Sequence, residues 1–369
     1  MVYNHEPRKV GKRVQRRINA LGVGQKMQDL PEELWHESFR YYVKEDPTRV
    51  GGPNLRIIRL DPNKQSLTVT GYIFNKFVHP YEDRFITPRE AARLQGFPDD
   101  LEFKGTLTSV QRQVGDAVPL ELGCAIFRSL LSALDQYCPK RNVYQTLSLF
   151  SGAGGLDIAL EQVSQENDNR LNTFACVEID EDRCETLEGY FQNGLSVFQK
   201  DLSEMNAQSI LSACNMKAED VSVVYGGPPC QSFSQAGKQK GIQDSRGKLI
   251  FDFLRYVNEI NPPFFMMENV TNLKGIDKGM LLEEILVNID NIGYYVNYAP
   301  LRAVDYGSPQ KRSRLIFIGS RKDLPVQARL PEPTHGRKGT LLNLLPYKTV
   351  GDAFRGLPIP DYEPIWIDG

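Results

Sequence analysis

The segment Leu147-Ser148-Leu149-Phe150-Ser151-Gly152-Ala153-Gly154-Gly155-Leu156 decides the fold of this 369-residue chain. An apolar run ends in a glycine-rich turn and an amphipathic stretch follows, which is the pattern of a strand, a turn and a helix. Glycines let the backbone approach a ligand closely, and the first turn of a helix offers free N–H groups. The segment therefore predicts a ligand site formed by Phe150, Ser151, Gly152, Ala153, Gly154 and Gly155.

Strand-like and helix-like segments alternate from Gln145 to Ser320. The predicted strands are Thr146–Phe150, Thr173–Glu178, Val221–Tyr225, Phe264–Met267, Tyr294–Pro300 and Arg314–Gly319. The predicted helices are Leu156–Ser164, Asp182–Phe191, Lys248–Ile260 and Gly279–Ile289. This alternation predicts an α/β fold with a doubly wound, mainly parallel sheet and helices on both faces. Ligands of such sheets bind beyond the carboxyl ends of the strands.

The flanks of this region are rich in proline and glycine and carry only short regular segments. They include strand-like Ile57–Leu60 and Ser66–Tyr72, and the helical patterns Thr87–Gln95 and Leu120–Leu134. We expect a smaller irregular domain in two parts and a larger ligand-binding domain. The predicted divisions are the first part of the small domain at 1–108, a helix of the large domain at 109–134, a connector at 135–144, the large domain at 145–325, and the second part of the small domain at 326–369.

Composition is that of an ordinary globular protein, with 41% apolar and 24% charged residues. The net charge of −2 does not indicate a nucleic-acid binder, and the basic cluster between Arg8 and Arg17 fits either a solvated face or a phosphate-binding one. The six cysteines have no CxxC pair and the four histidines lack ligand spacing, so we expect no metal and a reducing, cytoplasmic location. No apolar stretch predicts a membrane span or signal peptide.

Two acidic strand ends follow the glycine turn. Glu178 could accept hydrogen bonds from two ribose hydroxyls, with Ile179 against an adenine face. Asp201, followed by Leu202, could accept from the adenine amino group. No Lys-Ser/Thr pair follows the glycines, which excludes a P-loop, and the combination favours S-adenosylmethionine over a dinucleotide. Either acid taken alone could instead be a helix N-cap.

The third motif is Gly226-Gly227-Pro228-Pro229-Cys230-Gln231-Ser232-Phe233-Ser234, directly after a predicted strand. Two prolines stiffen the approach to Cys230, as expected for a presented nucleophile, whereas a lone cysteine is more often a buried structural residue. Glu268-Asn269 ends the next predicted strand. The pair predicts a thiolate that adds to a ring carbon while a carboxyl group interacts with the ring nitrogen.

With these motifs the chain resembles the cytosine-5 DNA methyltransferases. The family's further motifs have counterparts in Gln310-Lys311-Arg312-Ser313-Arg314, in Arg84-Phe85-Ile86-Thr87-Pro88-Arg89-Glu90, and in Gln113-Val114-Gly115-Asp116-Ala117-Val118-Pro119. The last two normally follow the glycine turn but precede it here. We therefore predict a circular permutant that is opened inside the small domain.

The resemblance implies a small domain that recognises the target and a mechanism in which a cytosine leaves the DNA helix. It assigns catalysis to Cys230, Glu268, Arg312 and Arg314. It adds Pro229, Leu249, Asp116 and Ala117 to the S-adenosylmethionine site, and it assigns DNA contacts to Gln231, Ser234, Lys238, Lys240 and Arg246 on a predicted lid at 231–246. The expected partner is double-stranded DNA. We expect the protein to act as a monomer, in a restriction-modification system or as an orphan methyltransferase.

Two positions depart from the family pattern, because Asp116 stands where the family usually has Asn and Ser148 where it more often has Asp. The departure at Asp116 is expected to matter more. The Asp116 carboxylate would face the methionine carboxylate of the cofactor unless water or a cation intervenes. Two alternatives to a DNA methyltransferase stay open. They are a tRNA cytosine-5 methyltransferase, which lacks a sizeable recognition region, and a catalytically silent DNA-binding subunit, against which the intact Cys230, Glu268 and Arg314 argue.

Overall fold

The computed structural model describes residues 2–45, 57–71, 76–139, 141–192, 194–229, 247–337 and 343–360. Its α-helices are α1 Lys12–Ala20, α2 Glu37–Lys44, α3 Pro88–Leu94, α4 Leu107–Asp116, α5 Leu120–Tyr137, α6 Gly155–Glu166, α7 Glu181–Tyr190, α8 Ala207–Ala213, α9 Lys248–Ile260, α10 Met280–Asn291 and α11 Val350–Phe354. Its strands are β1 Ile58–Arg59, β2 Ser66–Leu67, β3 Phe77–Val78, β4 Tyr144–Leu149, β5 Leu171–Glu178, β6 Ser196–Gln199, β7 Val221–Gly226, β8 Phe264–Val270, β9 Tyr294–Arg302, β10 Gln310–Lys311, β11 Ser313–Arg321, β12 His335–Gly336 and β13 Leu345–Pro346.

The centre of the molecule is a seven-stranded sheet with the order β6-β5-β4-β7-β8-β11-β9. The first five strands are parallel, and β11 runs antiparallel to both β8 and β9. Each of the six predicted strands is a strand of this sheet, so the predicted α/β fold with a mainly parallel sheet is confirmed. The edge strand β6 and helix α8 are additions that the sequence pattern did not predict.

Alternating side chains of the central strands enter two separate apolar clusters. On β8, Phe264 and Met266 join the cluster that contains α5 and α6, while Phe265 and Met267 join the cluster that contains α9 and α10. Both sheet faces are therefore covered by helices, as a parallel sheet requires. Burial on both faces also explains why these strands are nearly continuous apolar runs in the sequence.

Three segments before the sheet differ from the sequence pattern. The predicted helix at 109–134 is two helices in the structure, because α4 ends at Asp116 and α5 begins at Leu120, directly after Pro119. The Thr106 side chain caps α4 by accepting from Ser109 N. Helix α5 continues to Tyr137, and the link to β4 comprises residues 138–143. In the described part of the strand-like pattern at Ser66–Tyr72, residues 66–71, the strand is β2 with two residues, which pairs in parallel with β10.

A buried polar joint connects the early segments to the end of the sheet. The Gln310 side chain donates to the Leu94 carbonyl at 2.7 Å and accepts from Val69 N at 3.1 Å. The Arg312 guanidinium donates to the carbonyls of Val69 and Asp116 at 2.5 and 3.2 Å. Both side chains are almost fully buried, so this joint fixes residues 66–71 and the end of α4 beside β11.

Beneath the glycine turn lies a second buried polar group, centred on Asp157 of α6. Its Oδ1 accepts from the Tyr225 hydroxyl at 2.8 Å and from the Cys176 thiol at 3.1 Å. Burial raises the pKa of Asp157, although hydrogen bonds from Ser148, Cys176 and Tyr225 oppose that rise. Folding therefore shifts this carboxyl toward its protonated form relative to the unfolded chain.

No single helix in the described part of the chain is long and apolar enough to cross a bilayer. The bent pair of α4 and α5 has the length and composition for a span, as buried core helices can have. Most of α5 is buried against α6 and the sheet.

We predict that Gly115→Ala destabilises the protein, although helix propensity alone would make it stabilising by about 1 kcal/mol. A Cβ at Gly115 would lie 2.1 Å from Gly71 N, and neither backbone can move without breaking the buried joint. We expect a loss of about 3 kcal/mol in the free energy of unfolding, measured by urea denaturation. Gly189→Ala in α7 is the control, since its nearest neighbour is Lys104 Cε at 3.7 Å. Equal stability changes in the two variants would contradict the close approach.

We predict that Asp157→Asn reduces the dependence of stability on pH. Because the pKa of Asp157 is raised, its stabilising contribution is complete in acid and is lost as the pH rises through that value. Urea unfolding at about pH 5 and about pH 8 should show a smaller loss in the variant than in the parent. Asp220→Asn changes a half-exposed carboxylate and serves as the control. An unchanged pH dependence in Asp157→Asn would refute the assignment.

Candidate functional site

The carboxyl ends of β4, β5, β7 and β8 open into one cavity of about 850 Å³. The structure brings most of the predicted site residues to its wall. Those that line it are Asp116, Ala117, Phe150, Ser151, Gly152, Ala153, Gly155, Glu178, Ile179, Asp201, Leu202, Pro229, Leu249, Glu268, Arg312 and Arg314. Gly154 is not part of the wall, because it is the N-cap of α6 with a φ of 81°.

The glycine turn is shaped by left-handed backbone at Phe150 and Gly152, with φ values of 55° and 58°. This conformation turns the amide of Gly152 toward β5, where it donates to Glu178 Oε2 at 2.8 Å. At Gly155, a Cβ would lie 3.1 Å from the Val118 carbonyl, so a larger residue would press on the α4–α5 link. The turn therefore depends on glycine for its backbone conformation and its close packing.

Glu178 is nearly buried, and its carboxylate accepts three backbone amides. Oε1 accepts from Ile179 N at 2.9 Å and Asp180 N at 3.0 Å, while Oε2 accepts only from Gly152 N. Asp180, and not Glu178, is the N-cap of α7, so the helix-cap interpretation is wrong for Glu178. Oε2 keeps lone-pair capacity for a further donor, such as a ribose hydroxyl.

Ile179 and Asp201 complete this end of the cavity. The Ile179 side chain is 61% exposed although it is large and apolar, which leaves a flat hydrophobic surface in the cavity wall. Asp201 Oδ1 accepts from Ser203 N at 2.8 Å and caps a short 3₁₀ helix, and this hydrogen bonding lowers the pKa of Asp201. An apolar surface between two acids fits an adenosine group, and the glycine cradle fits a ligand that lies against the backbone.

The opposite end of the cavity holds an ion pair. Arg314 Nε lies 2.5 Å from Glu268 Oε1, and both side chains are nearly buried. Burial raises the pKa of Glu268; Arg314 opposes that rise, and the charge of Asp116 adds to it. A Cβ at Gly227 would lie 2.8 Å from Glu268 Oε2, so the Gly-Pro-Pro segment passes directly over this carboxyl group.

Asn269 fastens that segment to the end of β8, since its side-chain amide donates to the Pro228 carbonyl at 3.0 Å. Pro229, the last described residue before Cys230, is exposed in the cavity wall. Cys230 itself and the predicted DNA-contacting residues Gln231, Ser234, Lys238, Lys240 and Arg246 lie outside the described residues. Their roles stay predictions.

Arg312 and Arg314 have different partners. Arg314 pairs with Glu268, as expected for one of the two, whereas Arg312 holds the carbonyls of Val69 and Asp116. The Nε of Arg312 is buried without a hydrogen-bond partner among the residues that the structure describes.

Arg183 is a residue of the site that the sequence analysis missed. Its Nη2 donates to Asp116 Oδ2 at 2.7 Å, and it lines the same cavity. Asp116 is thus paired with a cation from the first turn of α7. The available signal was its position in the helix that Asp180 caps directly after Glu178 and Ile179, but nothing in the sequence connected it with Asp116.

No group of three or more His, Cys, Asp or Glu side chains in the described ranges could hold a metal ion. Burial raises the pKa of the Cys124 and Cys184 thiols to about 12, so neither is a candidate nucleophile.

The chain is similar to several proteins that are named Type II methyltransferases. It is 39% identical over 227 residues to Type II methyltransferase M.AquIA from Picosynechococcus, covering 58% of this chain and 88% of that protein. It is 34% identical over 220 residues to M.NgoFVII from Neisseria gonorrhoeae and 37% identical over 214 residues to M1.HphI from Haemophilus parahaemolyticus. These matches cover 59% and 58% of this chain, and 54% and 52% of the two proteins, so the chain spans about half their length.

A family model provides the broader match. The model described as C-5 cytosine-specific DNA methylase matches residues 2–132 and 144–355, which together are most of the sequence. The break between the two ranges contains the link between α5 and β4. The glycine turn, Glu178, Glu268 and Arg314 all fall within the matched ranges. The chain therefore belongs to the C-5 cytosine-specific DNA methylase family.

Proposed function

We propose that this protein is a DNA (cytosine-5-)-methyltransferase that transfers a methyl group from S-adenosylmethionine to carbon 5 of a cytosine in duplex DNA. The observation that carries the proposal is the buried Glu268–Arg314 pair, which faces the same cavity as the glycine turn and Glu178. A carboxyl group with a raised pKa is thereby available beside a site suited to an adenosine-containing cofactor. The relatives are named Type II methyltransferases, which supports a restriction-modification context.

The residues at the β4 and β5 ends fit S-adenosylmethionine. Glu178 would accept from the ribose through Oε2, Ile179 and Leu202 would contact the adenine faces, and Asp201 would accept from its amino group. Leu249 and Pro229 would close the cavity on the side of β7 and α9. When bound, the cofactor supplies a methyl group on a positively charged sulfur, which a carbon nucleophile can take.

Activation of the cytosine would fall to three side chains. The Cys230 thiolate adds to carbon 6 and forms a carbon–sulfur bond, and the displaced electron pair moves toward ring nitrogen 3. Glu268 donates its proton to that nitrogen, and Arg314 holds the carboxyl group in place. The neutralised enamine then presents carbon 5 as a nucleophile. Methyl transfer to carbon 5 would break the methyl–sulfur bond and leave the cofactor as a neutral thioether. A base, relayed by water, would then remove the carbon 5 proton while ring nitrogen 3 returns its proton to Glu268, and expulsion of the Cys230 thiolate would break the carbon–sulfur bond.

This chemistry requires the cytosine to leave the DNA helix, because carbons 5 and 6 of a stacked base are inaccessible to Cys230. Polar and basic residues directly after the nucleophile would hold the DNA during that step, chiefly by contacts to phosphates. We assign this role to Gln231, Ser234, Lys238, Lys240 and Arg246. The enzyme would act as a monomer on duplex DNA in the cytoplasm, with the small domain at 1–108 and 326–369 as its recognition surface.

We also infer that the motif order arose by circular permutation. The link at residues 138–143 joins α5 directly to β4, so segments that stand at opposite ends in the usual family order are adjacent here. At the other side of the molecule, His5 Nε2 lies 2.8 Å from the Pro358 carbonyl. This contact joins residues of the two proposed parts of the small domain, which supports the proposal.

We predict that the protein transfers labelled methyl groups from S-adenosylmethionine to mixed-sequence duplex DNA, and that Cys230→Ser lowers this transfer about 10³-fold or more. Cys214→Ser, at a half-buried cysteine that does not line the cavity, is the control and should keep the parental rate. Label that enters only tRNA would favour the RNA-methylating alternative. Cofactor binding without label in either nucleic acid would favour the silent DNA-binding subunit.

We predict that Glu268→Gln lowers kcat for DNA methylation about 100-fold or more and changes its pH profile. The proton donor is present below the raised pKa of Glu268 and is lost as the pH rises through it, so the parent should lose that contribution at higher pH. The Gln variant has no such group and should lack this decline. Glu219→Gln alters an exposed carboxylate and should leave the profile unchanged. The same alkaline decline in Glu268→Gln would refute proton donation by Glu268.

A further inference from the structure

The charged side chains of the cavity wall differ in how many of their hydrogen-bonding groups have partners within the protein. Arg314 is paired with Glu268, and Arg312 is held by two backbone carbonyls. Lys200 stands next to Asp201 at the β6 edge of the sheet. Arg183 is therefore the cation at the glycine turn among the described wall residues, and a Cβ at Gly152 would lie 3.9 Å from its Nη1.

The Asp116–Arg183 contact uses only part of what each side chain can offer. Arg183 donates through Nη2 to Asp116 Oδ2, and in the described part of the chain no other side-chain hydrogen bond involves either group. A guanidinium has five N–H donors and a carboxylate about four acceptor positions. The Arg183 side chain is 22% exposed and that of Asp116 60%, so both can reach a ligand in the cavity.

A carboxylate and a guanidinium side by side are complementary to a zwitterion. An α-amino acid carries an ammonium and a carboxylate on one carbon, so its two charges can meet Asp116 and Arg183 at the same time. The position of the pair agrees with this ligand. On one side the pair borders the glycine turn. On the other side Asp116 is close enough to Glu268 for its charge to raise the pKa of Glu268, although burial and Arg314 have larger effects on that pKa.

We propose that the Asp116–Arg183 pair binds the amino-acid end of S-adenosylmethionine, with the α-carboxylate on Arg183 and the α-ammonium on Asp116. The inference rests on the proposed function, because it takes the cofactor from there. It also gives Asp116 a different role from the one that the family comparison implies. Asp116 does not repel the methionine group but orients the arginine that receives its carboxylate and binds its ammonium directly.

The test compares two ligands that differ only at the end in question. S-adenosylhomocysteine carries the amino-acid group and 5′-methylthioadenosine lacks it, and calorimetry on the full chain gives the affinity for each. Arg183→Gln should weaken binding of S-adenosylhomocysteine about 10- to 100-fold, as expected for the loss of a charged hydrogen bond, and leave 5′-methylthioadenosine within about twofold. Asp116→Asn should show the same selectivity with a smaller loss, and Arg183→Lys should restore part of the affinity.

Arg128→Gln removes an exposed arginine–carboxylate pair with Glu166 far from the cavity wall, and it should change neither affinity. An equal loss for both ligands in Arg183→Gln would mean that the pair only ties α4 to α7, and an unchanged affinity for S-adenosylhomocysteine would also overturn the proposal. If the parent protein binds neither ligand, this inference and the proposed cofactor fail together. Selective binding without methyl transfer to DNA would sustain this inference and refute the proposed function alone.

Discussion

The site depends on the burial of Gln310 and Arg312 between parts of the chain that are distant in sequence. Gln310 holds Leu94 and Val69, and Arg312 holds Val69 and Asp116, with side chains that are 0% and 1% exposed. Burying an arginine is costly, and Nη1 and Nη2 of Arg312 are satisfied only by these two carbonyls while its Nε has no partner among the described residues, so displacing the backbone at Val69 or Asp116 would add to that cost. Because Asp116 belongs to the cavity wall, the same joint fixes the position of a charge in the site.

The position of the glycine turn depends on its hydrogen bond to the end of the neighbouring strand. Glu178 accepts amides from its own strand end and from Gly152, so one carboxylate sets the spacing between the ends of β4 and β5. The left-handed backbone at Phe150 and Gly152 is what directs the Gly152 amide toward it. Hydrogen bonds within the protein thus set the shape of this end of the cavity.

Much of this arrangement could be predicted from the sequence, because it follows from local patterns. The central strands could be identified because they are buried on both faces and are therefore apolar runs. The ends of parallel strands converge at one edge of the sheet, so Glu178, Asp201 and Glu268 could be assigned to one site. Strand β6 was missed because its four residues are partly exposed and lack an apolar pattern. The contact of Arg312 with Val69 and that of Arg183 with Asp116 join residues that are distant in the sequence, so no local sequence pattern predicts them.

The buried joint also determines the order in which the molecule can form. Arg312 and Val69 are separated by 243 positions along the chain, and Gln310 and Leu94 by 216. Contacts between residues so far apart require the closure of a long loop, which costs conformational entropy. They therefore form late and slow the folding reaction. During synthesis the segment that carries Asp116 leaves the ribosome long before β10 and β11 exist. The cavity is therefore a late product of folding, completed only after the segment that carries β10 and β11 has been made.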